Sequence, residues 1–302
     1  MNESAGKDLE ALSVGLDEAA RAVEAIFDRY MPPDEGPAAA VGQAVRHSLV
    51  GGKRVRPYVV RLAAESFGLS PAAVTPTACA FELIHTATLI HDDLPAVDDA
   101  DLRRGRPSCH VAFGEPTAIL AGDALIVAAF DALASQAEEP ATPAERVALV
   151  IHEFASAVQA VILGEHVDII GEGLPPSADL LDFIHRHKTA ALFVGAARAG
   201  ALLAGASEED LRTLSDYAQA VGLLFQVTDD LLDVEGSSEE LGKPVGADLA
   251  AGKQTYPGVY GAEEAKRRAE TLAQQAYNAA ERLPARQELW KALVWLILER
   301  RS

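Results

Sequence analysis

Two groups of aspartates continue apolar stretches of this chain, and they constrain what it can fold into more than any other feature. Asp92, Asp93 and Asp98 follow Ala87-Thr88-Leu89-Ile90-His91, and Asp229, Asp230 and Asp233 follow Leu223-Leu224-Phe225-Gln226-Val227-Thr228. Carboxylates that extend such faces are costly to bury without a partner. Asp229 and Asp233 lie four apart and share one face of a helix. Like charges there destabilise the helix unless something offsets them. A hard divalent cation does so, because it prefers carboxylate oxygen. Asp230 lies beside this face. Asp92 and Asp98 lie six apart and would point about 120° away from each other on a regular helix. Pro95 between them removes a backbone donor and breaks the helix. The expectation is a helix that stops near Asp93-Leu94, with the next turn bringing Asp98 back beside Asp92.

The rest of the chain reads as helical. Apolar residues recur at helical spacing over Leu9–Phe27, Ala78–Ile90, Ile119–Leu133, Val147–Leu163, Leu180–Leu203 and Leu211–Leu232. Ser70-Pro71, Thr75-Pro76 and Thr142-Pro143 each place a hydroxyl before a proline, a helix-start signal. Thr142 with Glu145, and Ser207 with Asp210, have capping-box spacing. Loops are expected at Met31–Pro37, Ala137–Pro143, Gly171–Ser177 and, longest, Gly236–Thr255. No repeat or linker divides the chain. The expected fold is an all-α, single-domain helical bundle of about ten or more helices over residues 1–302.

The formal net charge is −19, which disfavours nucleic acid and anionic membrane surfaces as partners. Against that background three basic clusters stand out: Lys53-Arg54-Arg56, Arg103-Arg104-Arg106 and Arg186-His187-Lys188. Arginine and lysine there can take the charge of a diphosphate whose other oxygens meet metal ions. Gly51-Gly52-Lys53-Arg54 is too short for a nucleotide-triphosphate loop and lacks its hydroxyl residue. Cys79 and Cys109 are the two cysteines, so a disulfide framework is excluded and a reducing compartment is the default. The first residues have no basic-then-apolar leader, and Asp123 interrupts the longest apolar run. A cytoplasmic protein with no membrane span is expected.

Five blocks, in order, resemble the trans-prenyl diphosphate synthases. They are Gly51–Pro57, His91–Asp99 with Leu102–Pro107, His187-Lys188-Thr189, Phe225–Asp233, and Leu241-Gly242-Lys243 with Gly252–Pro257. The resemblance implies the isoprenoid synthase fold around a central cavity, and a homodimer. It implies condensation of isopentenyl diphosphate with an allylic diphosphate (dimethylallyl, geranyl or farnesyl). It also implies about three Mg²⁺ ions per site, with Mn²⁺ able to substitute. Carried onto this chain, Asp92, Asp98 and Asp229 would ligate Mg²⁺, with Asp93 and Asp233 acting through water or from behind. Arg103, Lys188 and Lys243 would grip the allylic diphosphate, with Lys253 nearby. Lys53, Arg56, His85 and Arg104 would hold isopentenyl diphosphate, and Thr189 and Gln226 would line the reaction centre. One departure is Gly164-Glu165-His166-Val167-Asp168, which carries Glu where the family often has Gln.

Product length should depend on side chains roughly one turn before the first cluster, Ala87 and Thr88, with Ile84 deeper. Family members that make C15 typically carry an aromatic there. Ala87 is small, so geranylgeranyl diphosphate (C20) is the expected product, with farnesyl diphosphate (C15) the alternative. Two rival readings are a class I terpene cyclase and a non-catalytic partner subunit. The first disagrees with the full second aspartate motif, the second with the retention of both.

Overall fold

The computed structural model describes residues 3–235 and 252–299. The chain opens with α1 (Glu3–Glu24), a short α2 (Phe27–Tyr30), α3 (Ala39–Leu49) and α4 (Val55–Ser66). Helix α5 (Thr75–Asp92) runs to the first aspartate cluster. A two-residue ribbon follows, β1 (Leu102–Arg103) and β2 (Arg106–Pro107), then α6 (Cys109–Phe113), α7 (Glu115–Ser135) and α8 (Ala144–Gly171). After α9 (Ala178–Ile184) come a π-helical segment (His185–Ala190), α10 (Ala191–Ala204) and α11 (Glu208–Glu235). The described chain ends with α12 (Tyr256–Tyr260), α13 (Ala262–Ala280) and α14 (Gln287–Leu298).

Helix α5 sits at the centre, packed on α4, α7 and α10. Phe81 on α5 meets Phe154 of α8 edge-on at 5.1 Å, within a core that also buries Phe193, Tyr217 and Trp290. The polar tips of those last two are satisfied. Tyr217 donates to the Trp290 carbonyl at 2.7 Å, and Trp290 Nε1 donates to Ser66 Oγ at 3.0 Å. By length and composition alone, three helical stretches could cross a membrane: Pro71–Asp92, Glu115–Glu138 and Ala144–Gly171. In the fold the first is core, with 72% of its most apolar window inside the bundle. The other two keep apolar outer faces.

Several local expectations are corrected. The hydroxyls before prolines do not cap. Thr142 Oγ1 donates inward to the Gln136 carbonyl at 2.9 Å, so its box with Glu145 does not close. Thr75 Oγ1 donates to the Ala72 carbonyl, and Ser70 makes no cap bond. The box of Ser207 and Asp210 does form, with Ser207 N–H and Asp210 N–H each donating to the other's side chain at 3.3 and 3.2 Å. The stretch read as one helix over Leu180–Leu203 is broken by the π-helical turns at His185–Ala190. The tiny ribbon was also not expected. Its turn residues Arg104 and Gly105 both have positive φ (53° and 72°), as a tight two-residue hairpin needs.

The π segment is gripped from two sides by helical glycines. A Cβ on Gly164 of α8 would lie 2.3 Å from the Lys188 backbone nitrogen, and one on Gly222 of α11 would lie 2.6 Å from Ala190 Cα. Only hydrogen fits at either place, so both helices approach the segment at backbone distance. Gly164→Ala and Gly222→Ala should each lower unfolding stability by about 1–3 kcal/mol through overpacking. Gly6→Ala, with nothing within 4 Å of its added methyl, should be neutral or slightly stabilising. Urea midpoints of the three variants check this, and equal midpoints would contradict the close approach.

Candidate active site

The first cluster is built by the end of α5. Asp92 is the last helical residue and Asp93 the C-cap. The chain then turns on itself, as Pro95 demands. Val97 N–H donates to the Leu94 carbonyl, and Asp98 N–H donates to the Asp92 carbonyl at 2.9 Å. Asp99 closes the turn with a φ of 47°. Asp98 is thereby returned to Asp92. Asp93 points the other way. It is buried and accepts from Arg103 Nε at 2.9 Å and also from Nη2 of the same guanidinium.

The second cluster lies on α11. Asp229 lines the same cavity as Asp92 and Asp98, a space of 200 Å³ that also meets Arg103, Lys188 and Lys253. Asp230 reaches that cavity too, but both its oxygens are used in holding structure. Oδ1 accepts from Gln226 Nε2 at 2.8 Å, and Oδ2 accepts from Tyr256 N–H at 2.8 Å. Gln226 Oε1 in turn accepts from Thr189 Oγ1 at 2.8 Å. This chain of bonds ties the π segment, α11 and the start of α12 together, and it fixes which way the Gln226 amide faces. Asp233, one turn on, is buried and is not part of the cavity wall.

The cations of the cavity are engaged by its carboxylates. Lys188 Nζ donates to Asp168 Oδ2 at 2.6 Å and sits 2.7 Å from Glu165 Oε2. Lys253 Nζ donates to Asp98 Oδ1 at 2.7 Å. Burial opposes the charge on Lys188, but Asp168, Glu165, Asp98 and Asp92 outweigh it and hold the ammonium above its usual value. Burial likewise opposes ionisation of Asp98, and Lys188 and Lys253 overcome it. Asp92 is the exception. Burial, then the charges of Glu165 and Asp98, push its carboxyl up to about 8. Glu165 is thus turned toward Lys188 and close enough to raise Asp92, although it is not itself part of the cavity wall.

That crowding is what a divalent cation would relieve. Asp92, Asp98 and Asp229 present carboxylate oxygen alone, a donor set that suits Mg²⁺ or Mn²⁺. Among the described residues no three metal-ligating side chains are already drawn together. The aspartates share a cavity rather than a preformed cage.

The second basic group lies behind Arg103. His85 is enclosed near Arg56, Arg104, Arg103 and Arg54, and burial followed by these charges holds it well below its ordinary value, as neutral imidazole. Arg56 lies over the Phe193 ring at 4.9 Å, and burial pushes it down to about 10. Lys53 is exposed at the start of this block. Arg104 lines a small neighbouring cleft shared with Arg103 and Asp93, so Arg103 forms the wall between the two spaces. Lys243 lies outside the described residues.

Sequence reasoning assigned no site role to Leu89, Asp168, Ile184, His185, Gln254 or Thr255, which complete the wall. Leu89 carries no signal beyond helical phase, whereas Asp168 closes the Gly164–Asp168 block noted above for its glutamate. His185 lines the cavity and is held down to about 4, chiefly by burial. Gln254 accepts from Ser177 N–H at 2.9 Å and donates to the Gly171 carbonyl at 3.3 Å, clamping the Lys253 strand to the end of α8. Of the residues expected to set product length, Ala87 and Ile84 are each 1% exposed and are not part of this wall, and Thr88 Oγ1 donates to the His85 carbonyl. Leu89, three residues before Asp92, takes the wall position.

Comparison with known proteins gives the family and the fold. The polyprenyl synthetase family model matches residues 38–293. Geranylgeranyl pyrophosphate synthase 11 of Arabidopsis thaliana, a chloroplastic protein, is 47% identical over 242 residues, 78% of this chain and 68% of that one. Farnesyl diphosphate synthase of Geobacillus stearothermophilus is 43% identical over 254 residues, 83% and 85% of the two chains. The crystal structure of geranylgeranyl pyrophosphate synthetase from Pyrococcus horikoshii superposes with a TM-score of 0.86 at 30% identity, covering 96% of this chain and 99% of that one.

One expectation is overturned here. Several plant relatives are chloroplastic, which points away from a simple cytoplasmic location. Cysteine usage reports a reducing environment, not which reducing compartment, so it could not carry that inference. The chain belongs to the polyprenyl synthetase family of trans-prenyl diphosphate synthases, and it is a prenyltransferase that joins isopentenyl diphosphate head to tail to an allylic diphosphate.

Proposed function

We propose that the principal product is geranylgeranyl diphosphate, with farnesyl diphosphate the shorter alternative. The observation that carries this is Ala87, a small side chain on α5 below Asp92, with Ile84 about one turn deeper. The relatives include makers of both lengths, so membership of the family does not decide. A hydrocarbon growing beyond the present wall at Leu89 would run along α5, where the buried methyl group at position 87 obstructs least.

The site residues have clear chemical tasks in this reading. Asp92, Asp98 and Asp229 would hold about three Mg²⁺ ions, replaceable by Mn²⁺, which supply Lewis-acid charge to the allylic diphosphate. Lys188, Lys253 and Arg103 leave their carboxylate partners to hold its phosphoryl oxygens. Lys53, Arg56, His85 and Arg104 hold isopentenyl diphosphate behind Arg103. Departure of the allylic diphosphate breaks its C–O bond and leaves an allylic cation. The isopentenyl double bond attacks that carbon, and loss of a proton restores neutrality. The released diphosphate accepts the proton. Thr189 and Gln226, locked by Asp230, direct oxygen toward the cationic centre, and burial keeps water away.

We also propose a homodimer formed through α7 and α8. Ile119, Leu120, Val127 and Phe130 are exposed on α7 and fall within about 100° of one another around the helix. Ile162, Leu163, Ile169 and Ile170 are exposed on α8. A patch of this kind marks an association surface, and a second copy covers it symmetrically.

Product analysis with labelled isopentenyl diphosphate and each starter should show C20 as the main product. Ala87→Phe should shorten it to C15; unchanged C20 output from the variant would defeat the length argument. In size-exclusion chromatography with light scattering the protein should have about twice its 31.9 kDa mass. The double variant Val127→Asp, Ile162→Asp should fall to the mass of one chain, and an unchanged mass would place the interface elsewhere.

A further inference from the structure

Glu82 is a carboxylate in the middle of the largely buried helix α5, and no task described so far uses it. It is 2% exposed. Its Oε1 accepts from Arg54 Nη1 at 2.5 Å, and the same oxygen lies 3.9 Å from Arg104 Nη2. His85 lies three residues further along α5, on the same side of the helix. We propose that Glu82 is a positioning residue for isopentenyl diphosphate, acting through Arg54 and Arg104. This rests on the reading above that Lys53, Arg56, His85 and Arg104 hold that substrate.

Arg54 is the hub. It stands between Lys53 and Arg56 at the N-cap of α4, in the left-handed conformation with a φ of 49°. A residue with a Cβ holds that conformation only when its surroundings impose it. Here every nitrogen of the guanidinium is engaged. It donates to Glu82, to the Leu49 carbonyl and, from Nε at 3.2 Å, to Glu24 on α1. Arg54 therefore does not reach the substrate; it sets the backbone from which Lys53 and Arg56 project.

Arg104 closes the other side. At the tip of the β1–β2 ribbon, it donates from Nη1 to the Gly51 carbonyl at 2.9 Å. A Cβ on Gly52 would sit 2.8 Å from this guanidinium. The tip thus rests directly on the Gly51–Pro57 block, with Glu82 beneath both. Among the described residues no hydrogen-bond partner meets the buried Arg56 Nε, as would hold for a group awaiting an anion.

Two effects of removing the Glu82 charge oppose each other. The cluster becomes more cationic, which favours an anion. The guanidiniums also lose the buried charge that holds them together, and in a poorly screened interior they repel. The second effect wins, because the charge uncovered lies on Arg54, which is 2% exposed and turned away from the substrate space. Recognition of a diphosphate by forked donors depends on their orientation.

The test is steady-state kinetics at saturating Mg²⁺ on Glu82→Gln, Glu82→Asp and Arg54→Lys, each checked by circular dichroism. Glu82→Gln should raise KM for isopentenyl diphosphate about tenfold or more while KM for the allylic diphosphate stays within about twofold. Glu82→Asp, which keeps the charge on a shorter arm, should fall between Gln and wild type. A residue that served stability alone would lower the yield of active enzyme and leave both KM values alone. Unchanged KM for isopentenyl diphosphate, or both KM values rising together, would overturn the inference. If Glu82→Gln does not fold, Arg54→Lys decides by the same split. A wild-type enzyme whose condensation proves insensitive to Arg56→Gln and His85→Ala would instead remove the substrate assignment on which the inference stands.

Discussion

Buried carboxylate charge is the constraint on which the rest of this structure depends. Asp92, Asp98 and Asp229 face one cavity inside a bundle whose core is largely apolar. Charge in such a place must be offset or neutralised. The chain offsets it with Lys188 and Lys253, while burial and the neighbouring carboxylates hold the Asp92 carboxyl above its usual range. Every one of these internal pairs can be exchanged. Metal ions can take the carboxylate oxygens, and the diphosphate can take the ammonium groups. Each exchange supports the other, because neither partner of a buried pair is easily left alone.

Backbone architecture keeps those pairs in reach. Lys188 and Thr189 stand on π-helical turns, which carry an extra residue per turn and so re-aim side chains relative to a regular helix. Gly164 and Gly222 let α8 and α11 press on that segment. Asp168 and Glu165 consequently meet Lys188 from α8, and Gln226 meets Thr189 from α11. The second basic group has the same design on the other side of Arg103. There Glu82 and Arg54 are the buried pair, and the Gly51–Pro57 block and the ribbon tip are what they hold.

Beside the all-α fold and the family, the readings that survived are local ones. Helical periodicity located α5, α7, α8 and α11, and Pro95 correctly implied the turn that returns Asp98 to Asp92. The capping readings were less successful. Ser207 and Asp210 closed their box, but Thr142 turned its hydroxyl to Gln136, because a buried carbonyl offered a better partner than the helix end. Asp230 and Asp93 look like their neighbours in the motifs, but they bind Gln226 with Tyr256 N–H, and Arg103, respectively. A motif gives residue type and order, whereas the direction of a side chain follows from what stands opposite it.

By itself the sequence determined the chemical inventory: two aspartate clusters, the cations to match them, an all-α bundle, and a helix break at Pro95. Each of these depends on residues within a few positions of one another. Only the tertiary structure decided which cation meets which carboxylate. Lys253 and Asp98 are 155 positions apart, and Thr189 and Gln226 are 37 apart. Such pairings are set by how helices pack, and that packing turns on whether a hydrogen or a methyl stands at Gly164 and Gly222. The aspartate motifs announced the chemistry, and the contact between helices made them a site.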